Sequence, residues 1–393
     1  MAVKMATIAQ PDVIGTGATA RIPWDLWCSV VAVTSVTIGG RWDVSWHMSI
    51  GRDTFWTPAH MAIYLCSVLA GVVCGYLILN ATFRRTPGLV ASSVHVLGFT
   101  APLGAFLAAW GGIAMLTSAP FDNWWHNAYG LDVKIISPPH TLLMLGTFAV
   151  EIGSLLLILA AMNRAAEPGT LFRHLQRLLL YLSGLTLMAV MFFCTEYIRD
   201  VLLHTAIPYI AVSIGVPIWY AAVWKASRHR WALTWVTAIY TAMIIAFILI
   251  LPMFPAEPKL GPVYQHVTHF VPPQFPMLLL VPAVMLDLLW AHLGTSNKFL
   301  VALASAPVFV LSLVAVEWPF ASFLMTKASE NRFFATGYHP YGVPPWSLSV
   351  TRQFVRIGHE LILWKGLGVA MLCAVISVWL GLMLGEWMRK IQR

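Results

Sequence analysis

Long apolar runs recur along the chain, and no other feature constrains its fold as much. About ten runs start near Trp24, His60, His95, Thr141, Leu179, Ala206, Trp231, Phe275, Phe299 and Leu361. A helix needs about 20 apolar residues to cross the hydrocarbon core of a bilayer. Only 10% of the residues are charged, against roughly 25% in soluble domains. The sequence therefore predicts an all-α polytopic integral membrane helical bundle with about ten transmembrane helices in a lipid bilayer.

The distribution of charge predicts how the bundle sits in the membrane. With an even number of spans both termini lie on one side, and more than half of the 24 basic residues fall in loops on that side. By the positive-inside rule the termini are cytoplasmic, so the acid-rich and His-rich loops face outward. Residues 1–23 lack an apolar core and are expected to be a cytoplasmic tail. We expect a bacterial inner or intracytoplasmic membrane.

Two other classes of protein are disfavoured. The net charge of +8 does not predict a nucleic-acid partner, because the basic residues lie in short loops instead of on one soluble face. The five cysteines lie inside apolar runs and form no CxxC pair, so the sequence indicates neither a disulfide framework nor a thiolate zinc site.

A first cluster of polar residues stands out at the end of the first run. Asp43 and His47 are four residues apart and therefore neighbours on one face of a helix. His60 follows Thr57 and Pro58, an N-cap and first-turn pair that places it at the start of the next helix. One helix end and the next helix start can then converge on one metal ion.

A second cluster repeats the plan with Asp122, His126 and His140. The acid and the first histidine are again four residues apart, and His140 follows Ser137 and two prolines at a helix start. For a lone interfacial histidine, solvation or capping is the simpler explanation, and the acids can pair with nearby arginines. The repeated spacing favours metal ligands, and imidazole with carboxylate suits copper, zinc or non-haem iron.

The first cluster lies in a segment that resembles a known family, the copper membrane monooxygenases. Residues 43–54 and 57–60 closely resemble the third, all-helical subunit of particulate methane monooxygenase and ammonia monooxygenase, with an Arg-Asp-Thr run between the histidines. The resemblance implies that Asp43, His47 and His60 are copper ligands.

The second cluster resembles the same family, in which an Asn and two histidines with this spacing form a neighbouring copper site. Here Asp122 replaces the Asn and adds a negative charge, and Asp132 alone represents the acidic pair that the family places between its histidines. The likeness covers about residues 24–162. We therefore divide the chain into that metal-binding transmembrane region and a region of additional helices, residues 163–393, without an assigned role.

The resemblance implies a copper-dependent membrane monooxygenase, or a subunit of one. Its substrate would be a small apolar molecule or ammonia oxidised with dioxygen, and its partners would be other membrane subunits, in a complex that can also be a homo-oligomer. Two alternatives stay open. One is a non-catalytic metal-binding structural or assembly subunit, and the other is a metal transporter. Transport favours ligands near the bilayer midplane on discontinuous helices, whereas both clusters lie at helix ends.

Weaker signals lie elsewhere in the chain. Glu151 follows His140 by eleven residues, on nearly the same helical face and about 16 Å deeper, and we predict either a proton relay to the second cluster or a buried polar pair. Glu196, Asp200 and His204 recur at four-residue intervals, which predicts one helical face with a third metal site, a proton path or a solvated helix end.

Overall fold

The structure is a computed structural model that describes residues 21–51, 53–130, 137–198, 202–259, 267–293, 297–339 and 363–393. In these residues the chain is almost entirely helical, as the sequence predicted. The principal helices are α1 (Trp24–Ser49), α2 (Pro58–Leu79), the short α3 (Pro87–Ala91), α4 (Leu103–Tyr129), α5 (Pro138–Arg164), α6 (Thr170–Ile198), α7 (Ile207–Ser227), α8 (Ala232–Ile250), α9 (Leu280–Leu293), α10 (Lys298–Leu324) and α11 (Leu363–Met388).

Among the described residues, eight helices are long and apolar enough to cross a membrane. The other two predicted spans are α1 and α9. Helix α1 has 26 residues, but it is less apolar because Asp25, Arg41 and Asp43 lie within it. Helix α9 has only 14 residues, which at 1.5 Å per residue is about 21 Å, shorter than the hydrocarbon core. The protein is therefore a polytopic helical bundle with eight apolar spans in its described part.

One predicted span begins later than expected. The run near His95 starts with an antiparallel hairpin, in which β1 (Val94–Val96) pairs with β2 (Phe99–Ala101) and His95 lies opposite Thr100. Gly98 supplies the positive φ that the tight turn needs. Helix α4 then begins at Leu103, after Pro102.

The span predicted near Phe275 also differs from expectation. Residues 271–279 contain no helix, and α9 begins only at Leu280. Prolines at positions 272, 273 and 276 explain the delay, because each lacks the N–H that an α-helix needs and restricts the residue before it to extended conformations.

Small residues let α4 and α5 approach each other closely. A β-carbon at Gly111 would lie 2.5 Å from the carbonyl oxygen of Gly146, and one at Gly153 would lie 2.6 Å from the carbonyl oxygen of Gly104. Close backbone approach of this kind replaces hydrophobic burial as a source of helix association within lipid. It fixes α4 against α5, and both helices carry residues of the second cluster.

We expect Gly111→Ala to destabilise the protein by about 1–3 kcal/mol, the usual cost of overpacking, since neither backbone can move aside cheaply. The matched control is Gly75→Ala on α2, where a β-carbon would meet nothing within 4 Å. That control should be neutral or stabilising, because alanine favours helix by roughly 0.5–1 kcal/mol over glycine. Unfolding in SDS or by heat measures both variants. Equal stability of the two variants would contradict the close α4–α5 contact.

The later helices contact the first ones directly. The Asn163 side chain at the end of α5 donates to the carbonyl oxygens of Met388 and Ile391, at 2.9 and 2.8 Å. At the other end of the bundle, the Ser45 hydroxyl on α1 donates to the Val271 carbonyl oxygen at 2.6 Å, and the Val271 N–H donates to Ser49 Oγ at 2.8 Å. Helix α1 is thus held by the segment that precedes α9.

Candidate metal centres

Hairpin topology brings both predicted clusters to the same end of the bundle. Helix α1 ends at Ser49 and α2 begins at Pro58, while α4 ends at Tyr129 and α5 begins at Pro138. Thr57 and Ser137 are the N-cap residues of α2 and α5, as predicted. Because α2 leads away from this end and α4 returns to it, the two clusters lie at the two turns of the same face of the bundle.

The first cluster converges as its spacing predicted. The Nε2 atom of His60 lies 3.1 Å from Asp43 Oδ1, and His47 Nε2 lies 3.8 Å from Asp43 Oδ2. The His60 side chain is 15% exposed and the His47 side chain is 39% exposed. His60 therefore lies inside the cluster and His47 lies at its rim.

The structure adds a residue that the spacing argument did not include. Asp53 Oδ2 lies 3.3 Å from His60 Nε2 and 3.6 Å from His47 Nε2. One ligand atom from each of Asp43, Asp53 and His60 lies within 4.8 Å of the other two. The positive φ of Gly51 turns the chain, and this turn after α1 carries Asp53 back over the helix end. No helical periodicity marks such a position, although the carboxylate between two histidines was visible in the sequence.

Hydrogen bonding fixes how His60 presents itself to the carboxylates. Its Nδ1 lies 2.9 Å from the Thr54 carbonyl oxygen, and a carbonyl can only accept, so Nδ1 carries the proton. In the neutral ring the Nε2 lone pair then points at carboxylate oxygens of Asp43 and Asp53. Asp43 Oδ1 is buried and has no hydrogen-bond partner. Acceptors facing one another need a cation between them, either a second proton on His60 or a metal, and a carbonyl partner on the far nitrogen is typical of metal-binding histidines.

The second cluster converges around one carboxylate. His126 Nε2 lies 3.3 Å from Asp122 Oδ2, and His140 Nε2 lies 3.4 Å from Asp122 Oδ1. Asp122 Oδ1 is buried without a hydrogen-bond partner, like its counterpart in the first cluster. His126 Nδ1 is 3.4 Å from the Gly130 carbonyl oxygen, so it too points its Nε2 towards the acid. Asp132, the other acid considered for this cluster, lies outside the described residues.

The two clusters are near enough to act on a common side chain. Tyr64 lies one turn after His60, with ring centroids 6.1 Å apart, and it interacts electrostatically with Asp43, Asp53 and Asp122. The sequence analysis did not single out this tyrosine, because one tyrosine on an apolar helix carries no pattern. Its position makes it the residue that connects the surroundings of both clusters.

Aromatic side chains surround this end of the bundle. Trp56 is 73% exposed and Tyr129 is 68% exposed, and the rings of Phe121, Trp124 and Trp125 stack on or meet one another within 6.4 Å. Exposed tryptophan and tyrosine at helix ends are typical of the membrane–water interface. Both clusters therefore lie at interfacial depth and not at the bilayer midplane.

Glu151 lies in α5, as predicted, and is only 2% exposed. Its Oε2 has no hydrogen-bond partner, while Thr186 on α6 and Cys66 on α2 are neighbours that interact with it. This environment is protein and not lipid. The proton relay from Glu151 to the second cluster stays a prediction.

The predicted face of Glu196, Asp200 and His204 is not a single helical face. Helix α6 ends at Ile198, and His204 lies in the turn before α7, with Nε2 2.9 Å from Ser322 Oγ and its ring edge-on to Trp318. Burial lowers the pKa of His204, and a hydrogen bond with the Trp318 backbone opposes that shift. The Glu196 side chain and all of Asp200 lie outside the described residues.

This chain matches no protein-family model, no curated protein and no solved structure. The likeness to the copper membrane monooxygenases therefore rests on the two motifs alone.

Proposed function

We propose that this protein is a copper-binding integral membrane protein, similar to the third, all-helical subunit of the copper membrane monooxygenases. The observation that carries the proposal is the convergence of Asp43, Asp53 and His60 on a space where buried acceptor atoms face one another without a donor. The second cluster repeats this feature at Asp122. Two such sets at one end of the bundle are costly to retain near a membrane unless they bind cations.

The residues would divide the work of holding the metal. His60 would present Nε2, oriented by the Thr54 carbonyl oxygen, while the carboxylates of Asp43 and Asp53 would balance the charge of the ion. His126 and His140 would hold a second ion on either side of Asp122. Bound copper supplies dioxygen activation, and the protein supplies the ligand set and an apolar surround.

The surroundings favour a small apolar substrate that arrives from the bilayer. Aromatic rings border the second cluster, and Trp124, which is 54% exposed, would face the lipid interface. We propose oxidation of a small apolar molecule or ammonia with dioxygen, within a complex that includes other membrane subunits.

A second candidate is a structural metal clamp without catalysis. The first cluster joins three separate pieces of chain, namely the end of α1, the following loop and the start of α2. An ion there would cross-link these pieces and stabilise the bundle. This role predicts that removing the metal lowers the melting temperature while no oxygenation is lost.

We expect purified protein to contain about two copper ions per chain. His47→Ala and His126→Ala should each lower that content by about one, because each variant damages one cluster and leaves the other intact. Metal analysis by mass spectrometry, with zinc and iron measured alongside, checks the stoichiometry and the identity of the metal. Unchanged metal content in both variants would defeat the ligand assignment.

Oxygenation assays on the same samples then separate the two candidate functions. Under the monooxygenase proposal, membranes supplied with dioxygen, a quinol and a small alkane or ammonia form an oxidised product that is lost in the metal-depleted variants. Under the clamp proposal, the variants lose copper and thermal stability, and the intact protein forms no product.

A further inference from the structure

The strongest unassigned feature of the bundle is the interrupted span formed by residues 271–279 and α9. Met277 is 5% exposed and Leu279 is fully buried, so this non-helical backbone lies inside the protein. Non-helical backbone at membrane depth is tolerated only where protein covers it or where it lines a cavity. Interrupted spans with these properties form the ion sites of many transporters.

A buried carboxylate meets this backbone. Glu317 on α10 is 1% exposed, and its Oε2 accepts a hydrogen bond from the Leu278 N–H at 2.9 Å. One hydrogen bond does not satisfy a carboxylate, which has about four lone-pair sites, and a charge buried away from water is costly unless it is paired.

A small cavity lies beside this carboxylate. It has a volume of about 20 Å³, and its lining includes Thr195, Gln274, Phe275, Met277 and Glu317. That volume holds one water-sized guest. The Thr195 hydroxyl donates to the Met191 and Phe192 carbonyl oxygens, so its lone pairs remain available to a cation. The polar part of the lining therefore consists of groups that offer oxygen atoms.

The charges around Glu317 set the charge of the guest. Among the described residues, the ionisable side chains that interact electrostatically with it are Tyr209 on α7 and Tyr240 on α8. Arg41 and Cys194 lie beyond, where they act on Tyr240. Arg41 is engaged elsewhere, over the Phe192 ring at 5.0 Å. A single carboxylate with neutral oxygen ligands matches a cation of charge one.

We propose that the cavity beside Glu317 is a binding site for a small monovalent cation, either a proton carried on the carboxyl group with a water molecule, or a sodium ion. The site is independent of both metal clusters, and it gives residues of the C-terminal half a role in taking up or passing cations.

The test is labelling of the whole protein in lipid nanodiscs with dicyclohexylcarbodiimide. This apolar reagent reacts only with a protonated carboxyl group: the acid proton moves to a carbodiimide nitrogen, a carboxyl oxygen bonds to the central carbon, and the adduct rearranges to a stable acylurea. Peptide mass spectrometry locates the label. We expect labelling of Glu317 at about pH 6 that falls at least about tenfold by about pH 9.

Added sodium distinguishes the two cations. If the site takes sodium, about 100 mM NaCl slows the labelling of Glu317 relative to the same concentration of choline chloride; if it takes protons alone, the two salts give equal rates. Asp287 is the control, because both of its oxygens already accept hydrogen bonds, and it should stay unlabelled. Glu317→Gln should remove the label and keep the copper content. An unlabelled Glu317, or labelling independent of pH and sodium, would overturn the proposal.

Discussion

His60→Ala is expected to abolish metal binding at the first cluster, with an affinity loss of more than about 100-fold. His60 is the histidine nearest to both carboxylates, at 3.1 Å from Asp43 and 3.3 Å from Asp53. Removing merely the hydrogen-bond partner of a ligand costs roughly 10–100-fold in affinity, so removing the ligand itself must cost more. The measurement is copper content together with a competition titration against a chelator of known affinity.

Two further variants sharpen this prediction. His95→Ala changes a histidine on the hairpin between α2 and α4, at the other end of the bundle, where its Nδ1 contacts Thr100 Oγ1 at 3.2 Å; copper content should not change. Asp53→Ala should weaken the first cluster and leave the second intact. If His60→Ala kept the copper of the wild-type protein while Asp53→Ala lost it, the ligand set inferred from the geometry would be wrong.

Asp287→Ala is expected to destabilise the fold by about 2–4 kcal/mol. Asp287 on α9 is 1% exposed, and it caps the start of α8 by accepting from the Leu233 N–H at 3.3 Å, the Thr234 N–H at 2.8 Å and the Thr234 hydroxyl at 2.7 Å. Alanine would leave these donors buried without a partner, at about 1–3 kcal/mol for each unsatisfied group before relaxation. Unfolding in SDS, followed by circular dichroism, measures the loss.

Asp287→Asn separates the acceptor from the charge. Asparagine keeps one side-chain oxygen, so it should recover part of the stability that alanine loses. Copper content should stay near that of the wild-type protein in both variants while they remain folded, since neither touches a cluster. Equal stability of the alanine variant and the wild-type protein would show that Asp287 is not the cap of α8.

Much of the fold follows from patterns that lie within single segments. Apolar runs of span length, with Thr57-Pro58 and Ser137-Pro138 as start signals, predicted the membrane helices and brought α1 to α2 and α4 to α5. The four-residue spacing of Asp43 and His47 works because both lie on one helix, where the period is fixed.

The features that the sequence analysis missed depend on where the chain turns. Asp53 reaches the first cluster through a turn at Gly51, so its distance from His60 cannot be obtained from any periodicity. His204 was placed on the wrong element, because α6 ends before it. The prolines around Phe275 were visible, but an apolar run gives the same hydropathy whether it is helical or extended, and only its contact with Glu317 shows which one forms.

The pair of serine contacts that hold Val271 has a practical consequence for anyone who wishes to dissect the protein. The helix end that carries Asp43 takes part of its support from backbone more than two hundred positions later in the chain. Residues 24–162, although they contain every ligand of both clusters, are therefore not a transplantable module. A chimera that grafts them onto another scaffold would need to reproduce that distant prop before its copper chemistry could be judged.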